Sequence, residues 1–303
     1  MESNKRLSGD SSIHDNICRY PIEESGIFNA QNQYHAVSLS GGKDSTAMLL
    51  LMIERGLPID MVLVADTGLE FPEMYRHWDK VEQHLYRERG LKLTILRHPL
   101  GFEWLMFDQP KEKLSALERR DQAGVPPYGN GWPSTRVRWC TGQLKVHLIN
   151  KAVSQLRKEY ELFQFIGIAS DEDHRCVTDE HIRYPLVRWD ITEAQALQIC
   201  YNRGFDWGGL YEIYERCSCW CCPLQQIGEL QKLRHHHPEL WAKLMELDQR
   251  ALDQFGHTPL GRFKDNWTVA ALEERFAAED RELCLFDNME PKRRRRQKRG
   301  HAR

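Results

Sequence analysis

Two short clusters hold most of the chemistry this sequence offers. The first is Ser38-Leu39-Ser40-Gly41-Gly42-Lys43-Asp44-Ser45. Adjacent glycines admit positive φ and let backbone N–H groups close on an anion. Ser40 and Ser45 add hydroxyls and Lys43 a mobile positive charge, so the predicted chemistry is phosphate binding. The spacing is not that of the Walker A loop, GxxxxGK followed by Ser or Thr. The second cluster is Cys217-Ser218-Cys219-Trp220-Cys221-Cys222-Pro223, four thiols within six residues. Thiolates crowded this closely suit one metal centre. Adjacent Cys221 and Cys222 are awkward partners on a single centre, so a ligand from elsewhere in the chain is expected.

The elements around these clusters must place them. An apolar strand over 35–40 leads into the glycine pair. A helix over 46–54 leaves it, with the positive end of its dipole toward the loop. Further strands are predicted over 59–65, 91–97 and 162–168. Helices are predicted over Pro72–Arg89, with Pro in the first turn, and over 143–160. Strands alternating with helices give an α/β, Rossmann-like parallel sheet with helices on both faces. Ligands then bind at the carboxyl ends of the strands. The stretch 108–139 holds Pro110, Gly124, Pro126, Pro127, Gly129, Gly131 and Pro133. It reads as a lid over the site. From Thr192 the pattern turns helical, over 192–203, 224–255 and 268–283, as a small helical C-terminal part.

Composition narrows the class. Of 303 residues, 41% are hydrophobic and 28% charged, an ordinary globular balance that excludes a wholly disordered chain. The apolar run 47–53 is far short of the roughly 20 residues of a membrane span. The first residues lack the apolar core of a signal peptide, so the expected location is cytoplasmic, with no membrane partner. There are 42 Lys/Arg against 44 Asp/Glu, a net charge of −2. The tail 291–303 carries eight of those bases and no acid, leaving 34 against 44, so the body stands at −10. Nine cysteines in a reducing compartment favour metal over cross-links. The expected organisation is an arm over 1–33, a nucleotide-binding domain over 34–215, a Cys-rich and helical region over 216–290, and the basic tail over 291–303.

Ser-Gly-Gly-Lys-Asp-Ser after a first strand resembles the PP-loop of the N-type ATP pyrophosphatases. Asp66-Thr67-Gly68-Leu69-Glu70-Phe71-Pro72-Glu73, at the end of the second strand, resembles the DTG-x-x-F-P-E signature of the phosphoadenosine phosphosulfate (PAPS) reductase family. The resemblance covers roughly residues 34–225. It implies an adenine nucleotide hydrolase-like fold with the phosphates on Ser38 and Ser40–Ser45 and the nucleotide beside Asp66, Thr67 and Gly68. Gly167-Ile168-Ala169-Ser170-Asp171-Glu172-Asp173-His174-Arg175 is similar to the family's G-x-R-x-x-E-S-x-x-R segment, with Ala169 where Arg is usual. It implies nucleotide contacts from Gly167 and Arg175; a surface Arg balancing Asp171, Glu172 and Asp173 is the alternative. The Lys-Asp form of the loop is typical of members that split ATP into AMP and pyrophosphate. Lys43, Asp44 and Ser45 then become catalytic candidates, with Mg²⁺ as partner; Asp44 alternatively only caps the helix.

The segment Arg138-Trp139-Cys140-Thr141-Gly142-Gln143-Leu144-Lys145 resembles the place where iron–sulfur members carry cluster cysteines. The resemblance implies a centre held by Cys140, Cys217, Cys219 and Cys222, with Cys221 as spare. A 4Fe-4S cluster is the first choice and a Cys₄ zinc the second, because spacing does not separate them. The residues around Cys284 do not match the Glu-Cys-Gly-Leu-His end of assimilatory sulfonucleotide reductases.

Three functions follow. The leading one is ATP-dependent adenylation of an acceptor for sulfur transfer, with a nucleic acid as candidate acceptor and a sulfur donor protein as candidate partner. The others are a sulfonucleotide reductase and a non-catalytic nucleotide-binding module with structural zinc. Among smaller features, His235–His237 reads as a solvated face. Trp139, Trp189, Trp207 and Trp220 read as core aromatics or base-stacking platforms. Cys200 reads as core, and Cys18, Cys176 and Cys284 have no partner pattern. The tail reads either as a phosphate-contacting arm or as a solubilising end.

Overall fold

The computed structural model describes residues 32–111, 128–217, 219–264 and 267–289. Five parallel strands form one sheet in the order β3-β2-β1-β4-β5. They are β1 (Gln33–Ser38), β2 (Met61–Asp66), β3 (Leu93–Arg97), β4 (Glu161–Ile166) and β5 (Ile182–Arg183). The predicted α/β architecture is the observed one. β1 is central, bonded to β2 on one side and β4 on the other. The connection reverses direction there, which opens a crevice beyond the strand ends.

Both faces of the sheet are covered, and the alternation of the strands decides what lies on each. Ala36, Leu63 and Leu162 pack against Val153 of helix α5 (His147–Leu156). Their neighbours Val37, Val62, Val64 and Phe165 turn to the other face, into the large core. Helix α1 (Lys43–Glu54) is the centre of that core and is buried on nearly every side, from Ser45 to Ile53. Helix α2 (Pro72–Arg89) starts with Pro at its first turn and ends at Gly90 in the left-handed region. It buries Met74, His77, Trp78, Val81 and Leu85, a 3–4 residue repeat.

Several elements depart from the sequence pattern. A short helix α3 (Gly101–Glu103) runs on as a π-helical turn, Trp104–Asp108. The helix expected to begin at 143 begins as α4 (Trp139–Thr141), passes through a second π-helical turn at Gly142–Val146, and ends as α5 at Leu156. After β5 come α6 (Pro185–Arg188), α7 (Glu193–Asn202) and α8 (Leu210–Ile213). α7 opens on a capping box between Thr192 and Gln195. The long helix expected over 224–255 is two, α9 (Ile227–His236) and α10 (Pro238–Phe255), because Pro238 cannot continue the helix before it. Helix α11 is Val269–Met289. Among the described residues no helix is long and apolar enough to cross a membrane.

The expected lid over 108–139 lies partly outside the described residues. Its described ends hold together: Pro110 bridges Tyr128, and Gly129, Asn130 and Gly131 donate to the carbonyls of Gln109, Leu105 and Met106. The expected arm and basic tail also lie outside the described residues, the former apart from its last two positions.

One buried carboxylate ties the C-terminal helices to this strap. Asp248 of α10 accepts from Trp132 Nε1 at 3.1 Å and from the Val269 amide that starts α11 at 2.6 Å. Burial pushes its carboxyl up to about 6, against the pull of those bonds. Asp248→Ala strands both donors in the core, so a loss of about 3 kcal/mol is expected. Urea unfolding checks this; a loss below about 1 kcal/mol would contradict the role.

Candidate nucleotide and thiol site

The glycine loop sits where β1 ends and α1 begins. Gly41 has φ +83°, and its carbonyl accepts from Trp207 Nε1 at 2.7 Å. A side chain there has no room, because a Cβ on Gly41 would lie 2.1 Å from Trp78 Nε1. Gly42 has a negative φ of −71° with ψ at 170° and accepts the first helical bond from Thr46. Ser40 Oγ lies 2.9 Å from Ser45 Oγ and also accepts from the Gly42 amide. The two serines thus brace the bend. Tyr211 of α8 accepts from the Lys43 amide at 2.9 Å.

Gly167, expected to touch nucleotide, is placed against the loop itself. A Cβ at Gly167 would lie 2.6 Å from Ser45 Cα and 2.7 Å from its nitrogen. The missing side chain lets the end of β4 dock on the loop backbone. Ser38 accepts from Gln164 Nε2 at 2.8 Å and serves the strand pair.

The charge around the loop was only half visible in the sequence. Lys43 is buried, with Nζ 3.2 Å from Glu193 and 3.6 Å from Asp44. Ligand oxygens of Asp44, Glu172 and Glu193 all lie within 4.8 Å of one another. Burial pushes the Asp44 carboxyl up to about 6; Lys43 opposes the rise, and Glu193 and Glu172 add to it. Asp44 Oδ1 is buried without a hydrogen-bond partner, and Asp44 lies in the first turn of α1, past the N-cap Gly42. An all-oxygen group with one oxygen left orphaned fits a hard cation such as Mg²⁺. Arg175 pairs with Glu172, whose other oxygen takes Arg216 at 3.2 Å. The ion-pair reading of Arg175 therefore describes its contacts.

Asp66 is buried at the end of β2 and accepts from the Gly68 amide at 2.8 Å, Tyr75 at 3.0 Å and Arg97 at 2.7 Å. Gly68 turns at φ +78° with open space beside it. Thr67 donates to Glu70 and lies 3.6 Å from Cys219 Sγ. The Trp220 amide donates to the Leu69 carbonyl at 3.1 Å. The turn after β2 is thereby bonded directly to the cysteine segment.

The structure brings Cys140 to that segment. Cys140 acts electrostatically on Cys221 and Cys222, and Cys221 also feels Cys219 and Cys222. A turn closes Cys219 on Cys222, through the Cys222 amide and the Cys219 carbonyl at 3.1 Å. Cys217 faces another way, sharing a side-chain hydrogen bond with Tyr211 and lying under the influence of Lys43. Burial pushes the Cys217 and Cys219 thiols up to about 12 and raises those of Cys221 and Cys222 as well.

Lys145, 3.6 Å from Glu70, supplies counter-charge. Desolvation pulls its pKa down, but Cys219, Glu70 and Cys140 outweigh that and raise it. Soft donors beside an ammonium suit a thiolate-bound metal. Among the described residues no three of these thiols fall within 4.8 Å of one another, whereas tetrahedral zinc sets its sulfurs about 3.8 Å apart.

Glu172, Glu193, Tyr211 and Lys145 were not singled out from the sequence. Glu193 follows Thr192 in a capping box that announces a helix start, but not that the helix start faces the loop. Trp139, Trp207 and Trp220 are buried, and Trp189 carries Arg55 over its ring at 4.1 Å. His235 and His236 are exposed, while His237 is buried and bonded to Tyr214 at 2.9 Å, which corrects the solvated-face reading at that position.

Residues 34–176 match the family model described as the phosphoadenosine phosphosulfate reductase domain. An uncharacterized protein of Methanocaldococcus jannaschii is 27% identical over 227 residues, 68% of this chain and 40% of that protein. An uncharacterized 37.8 kDa protein of Escherichia phage 186 is 24% identical over 256 residues, 73% of this chain and 76% of that protein. The chain thus spans well under half the length of the first of these relatives. Among solved structures, phosphoadenylyl-sulfate reductase from Candida auris in a phosphate complex is 16% identical with a TM-score of 0.37, covering 64% of this chain and 84% of that one. U34-tRNA thiolase NcsA from Methanococcus maripaludis, with its 4Fe-4S cluster, is 16% identical with a TM-score of 0.35, covering 76% and 74%.

Proposed function

We propose, from the match of residues 34–176 to the model of the phosphoadenosine phosphosulfate reductase domain, that this chain is a PP-loop enzyme that binds ATP and adenylates an acceptor for sulfur transfer. The observation that carries the reading is the convergence of Lys43, Asp44, Glu172 and Glu193 on the first turn of α1, directly after the Gly41-Gly42 bend. Phosphates would lie against loop amides and the helix N-terminus. Lys43 would leave its carboxylate partners for the phosphate oxygens and stabilise the charge of departing pyrophosphate.

In the step, an acceptor oxygen bonds to the α-phosphorus and the bond to the β-phosphate oxygen breaks. AMP is then displaced by a sulfur nucleophile from a donor. The candidate acceptor is a nucleobase carbonyl of a nucleic acid. Asp44, Glu172 and Glu193 would hold Mg²⁺, which when bound neutralises phosphate charge beside the loop. Cys140, Cys219 and Cys222, with Cys221 beside them, would hold the metal centre. A 4Fe-4S cluster is the first reading and zinc the second. Such a centre would fix these thiols as thiolates and tie the cysteine turn to α4. Ser45 braces Ser40, and Asp66 with Thr67 and Gly68 forms the wall beside the nucleotide.

The test is AMP and pyrophosphate release from ATP and Mg²⁺ with an RNA or DNA acceptor and a sulfide donor. Lys43→Ala is expected to lower it by about 10- to 100-fold, the range of one charge-assisted contact. No release with any acceptor would overturn the reading. The description of the matching family favours a second reading, reduction of a sulfonucleotide to sulfite. Thioredoxin-dependent sulfite formation without ATP cleavage would establish that one instead.

A further inference from the structure

Each of the three carboxylates beside the phosphate loop faces a base of the chain itself. Glu193 takes Lys43 on one oxygen at 3.2 Å and Arg216 on the other at 3.9 Å. Glu172 takes Arg216 on one oxygen at 3.2 Å and Arg175 on the other. Asp44 lies 3.6 Å from Lys43 through Oδ2 and keeps Oδ1 orphaned. Lys43, Arg175 and Arg216 thus neutralise Asp44, Glu172 and Glu193, and one nitrogen of Arg216 bridges the two carboxylates that come from outside the loop.

Arg216 combines a free head with a fixed backbone. Its side chain is 73% exposed, whereas those of Glu172 and Lys43 are mostly buried. An exposed ion pair is held weakly, so the guanidinium is released without loss to the fold. The backbone is anchored on both sides. Cys217, the next residue, shares a hydrogen bond with Tyr211, which accepts from the Lys43 amide at 2.9 Å. Tyr214, two residues before Arg216, is buried and bonded to His237. The Tyr211 contact sets this segment against the first turn of α1, where a phosphate on the loop amides would lie. Guanidinium groups take phosphate in a bidentate fork.

The pairing also sets up a competition. A divalent cation arriving alone must displace Arg216 and Lys43 from the carboxylates. A phosphate arriving alone must draw the same two bases away from them. A nucleotide and a cation bound together satisfy both sets of charges.

We propose that Arg216 is a phosphate-binding residue parked on Glu172 and Glu193: the outer phosphates of a nucleotide draw its guanidinium off, and the carboxylate oxygens it leaves take the divalent cation. That the nucleotide is ATP and the cation Mg²⁺ rests on the proposed function. The assignment adds to that reading a phosphate-binding base from outside the loop and a coupling between the two ligands.

The test reads the ligands separately on the full chain. ATP is followed by isothermal titration without added divalent cation, and Mn²⁺ by loss of its free paramagnetic signal without nucleotide. Mn²⁺ stands in for Mg²⁺ because both prefer octahedral oxygen. Arg216→Gln is expected to weaken ATP by about 10- to 100-fold, the range of one charge-assisted contact. The same variant is expected to tighten Mn²⁺ by about threefold or more, because two carboxylates lose a competitor. Arg216→Lys keeps the charge without the fork, so Mn²⁺ should stay within about twofold of the parent while only part of the ATP affinity returns. Opposite shifts are the signature, since a damaged fold weakens both ligands. Both weakened together, or both unchanged, would overturn the proposal. ATP binding lost by Lys43→Ala but kept by Arg216→Gln would overturn it and spare the nucleotide reading. Opposite shifts without any pyrophosphate release from ATP would uphold Arg216 and sink the adenylation chemistry instead.

Discussion

Gly41→Ala is expected to empty the nucleotide site while Gly42→Ala leaves it in use. The two residues are adjacent and chemically identical, so the difference is purely one of space and dihedral angle. At Gly41 the backbone stands at φ +83°, where a Cβ costs about 1–2 kcal/mol. The added carbon would also meet Trp78 Nε1 at 2.1 Å and Met74 Sδ at 2.8 Å. Trp78 is buried, so it cannot swing away, and overpacking of this kind costs about a further 1–3 kcal/mol. The loop must move off Trp78 and give up its bond from Trp207. A drop in stability of about 3 kcal/mol and a loss of ATP affinity on the order of 100-fold follow, the latter matching one or two lost phosphate contacts. A Cβ on Gly42 meets nothing nearer than Tyr211 Oη at 3.4 Å, so less than 1 kcal/mol is expected. Urea unfolding with isothermal titration of ATP reads both effects. Equal behaviour of the two variants would mean that the bend does not hold the nucleotide.

The second large effect concerns the metal. Cys140→Ser should reduce metal bound per chain to a trace, with affinity down at least 100-fold, since loss of even a supporting second-shell contact costs up to that much. Cys217→Ser should leave metal content near that of the parent, because Cys217 is turned to Tyr211 and Lys43 while Cys221 lies among Cys140, Cys219 and Cys222. Elemental analysis and the absorption spectrum after anaerobic purification decide it, and absorbance near 400 nm separates iron–sulfur from zinc. Because burial holds the thiols protonated, loading must expel protons and should strengthen as pH rises. Metal lost by Cys217→Ser as well as by Cys140→Ser would overturn this assignment and restore the ligand set read from the sequence, and metal retained by Cys140→Ser would overturn both.

The parts of the site that sequence reasoning reached are those written in consecutive residues. The β1–loop–α1 unit combines a strand period, a glycine pair and a helix period within 22 residues, Gln33 to Glu54. The cysteine run is equally local. What was missed is non-local or has no sequence signature. Glu172 and Glu193 reach Asp44 from more than a hundred residues away, through a capping box and a 3-10 turn that look like ordinary surface structure. β5 is two residues long, too short for any periodicity. The two π-helical turns have no signature in residue type. Pro238 did carry a signal, and reading 224–255 as one helix passed over it. Gly167 was singled out from its motif, but that its bare backbone packs on the loop itself has no sequence signature.

Two indole rings meet at Gly41, Trp207 through its bond to the carbonyl and Trp78 through close packing on the α-carbon. Any movement of the loop on filling alters the surroundings of both chromophores at once. The protein therefore carries a built-in optical reporter of its own occupancy, readable by ultraviolet emission without a label.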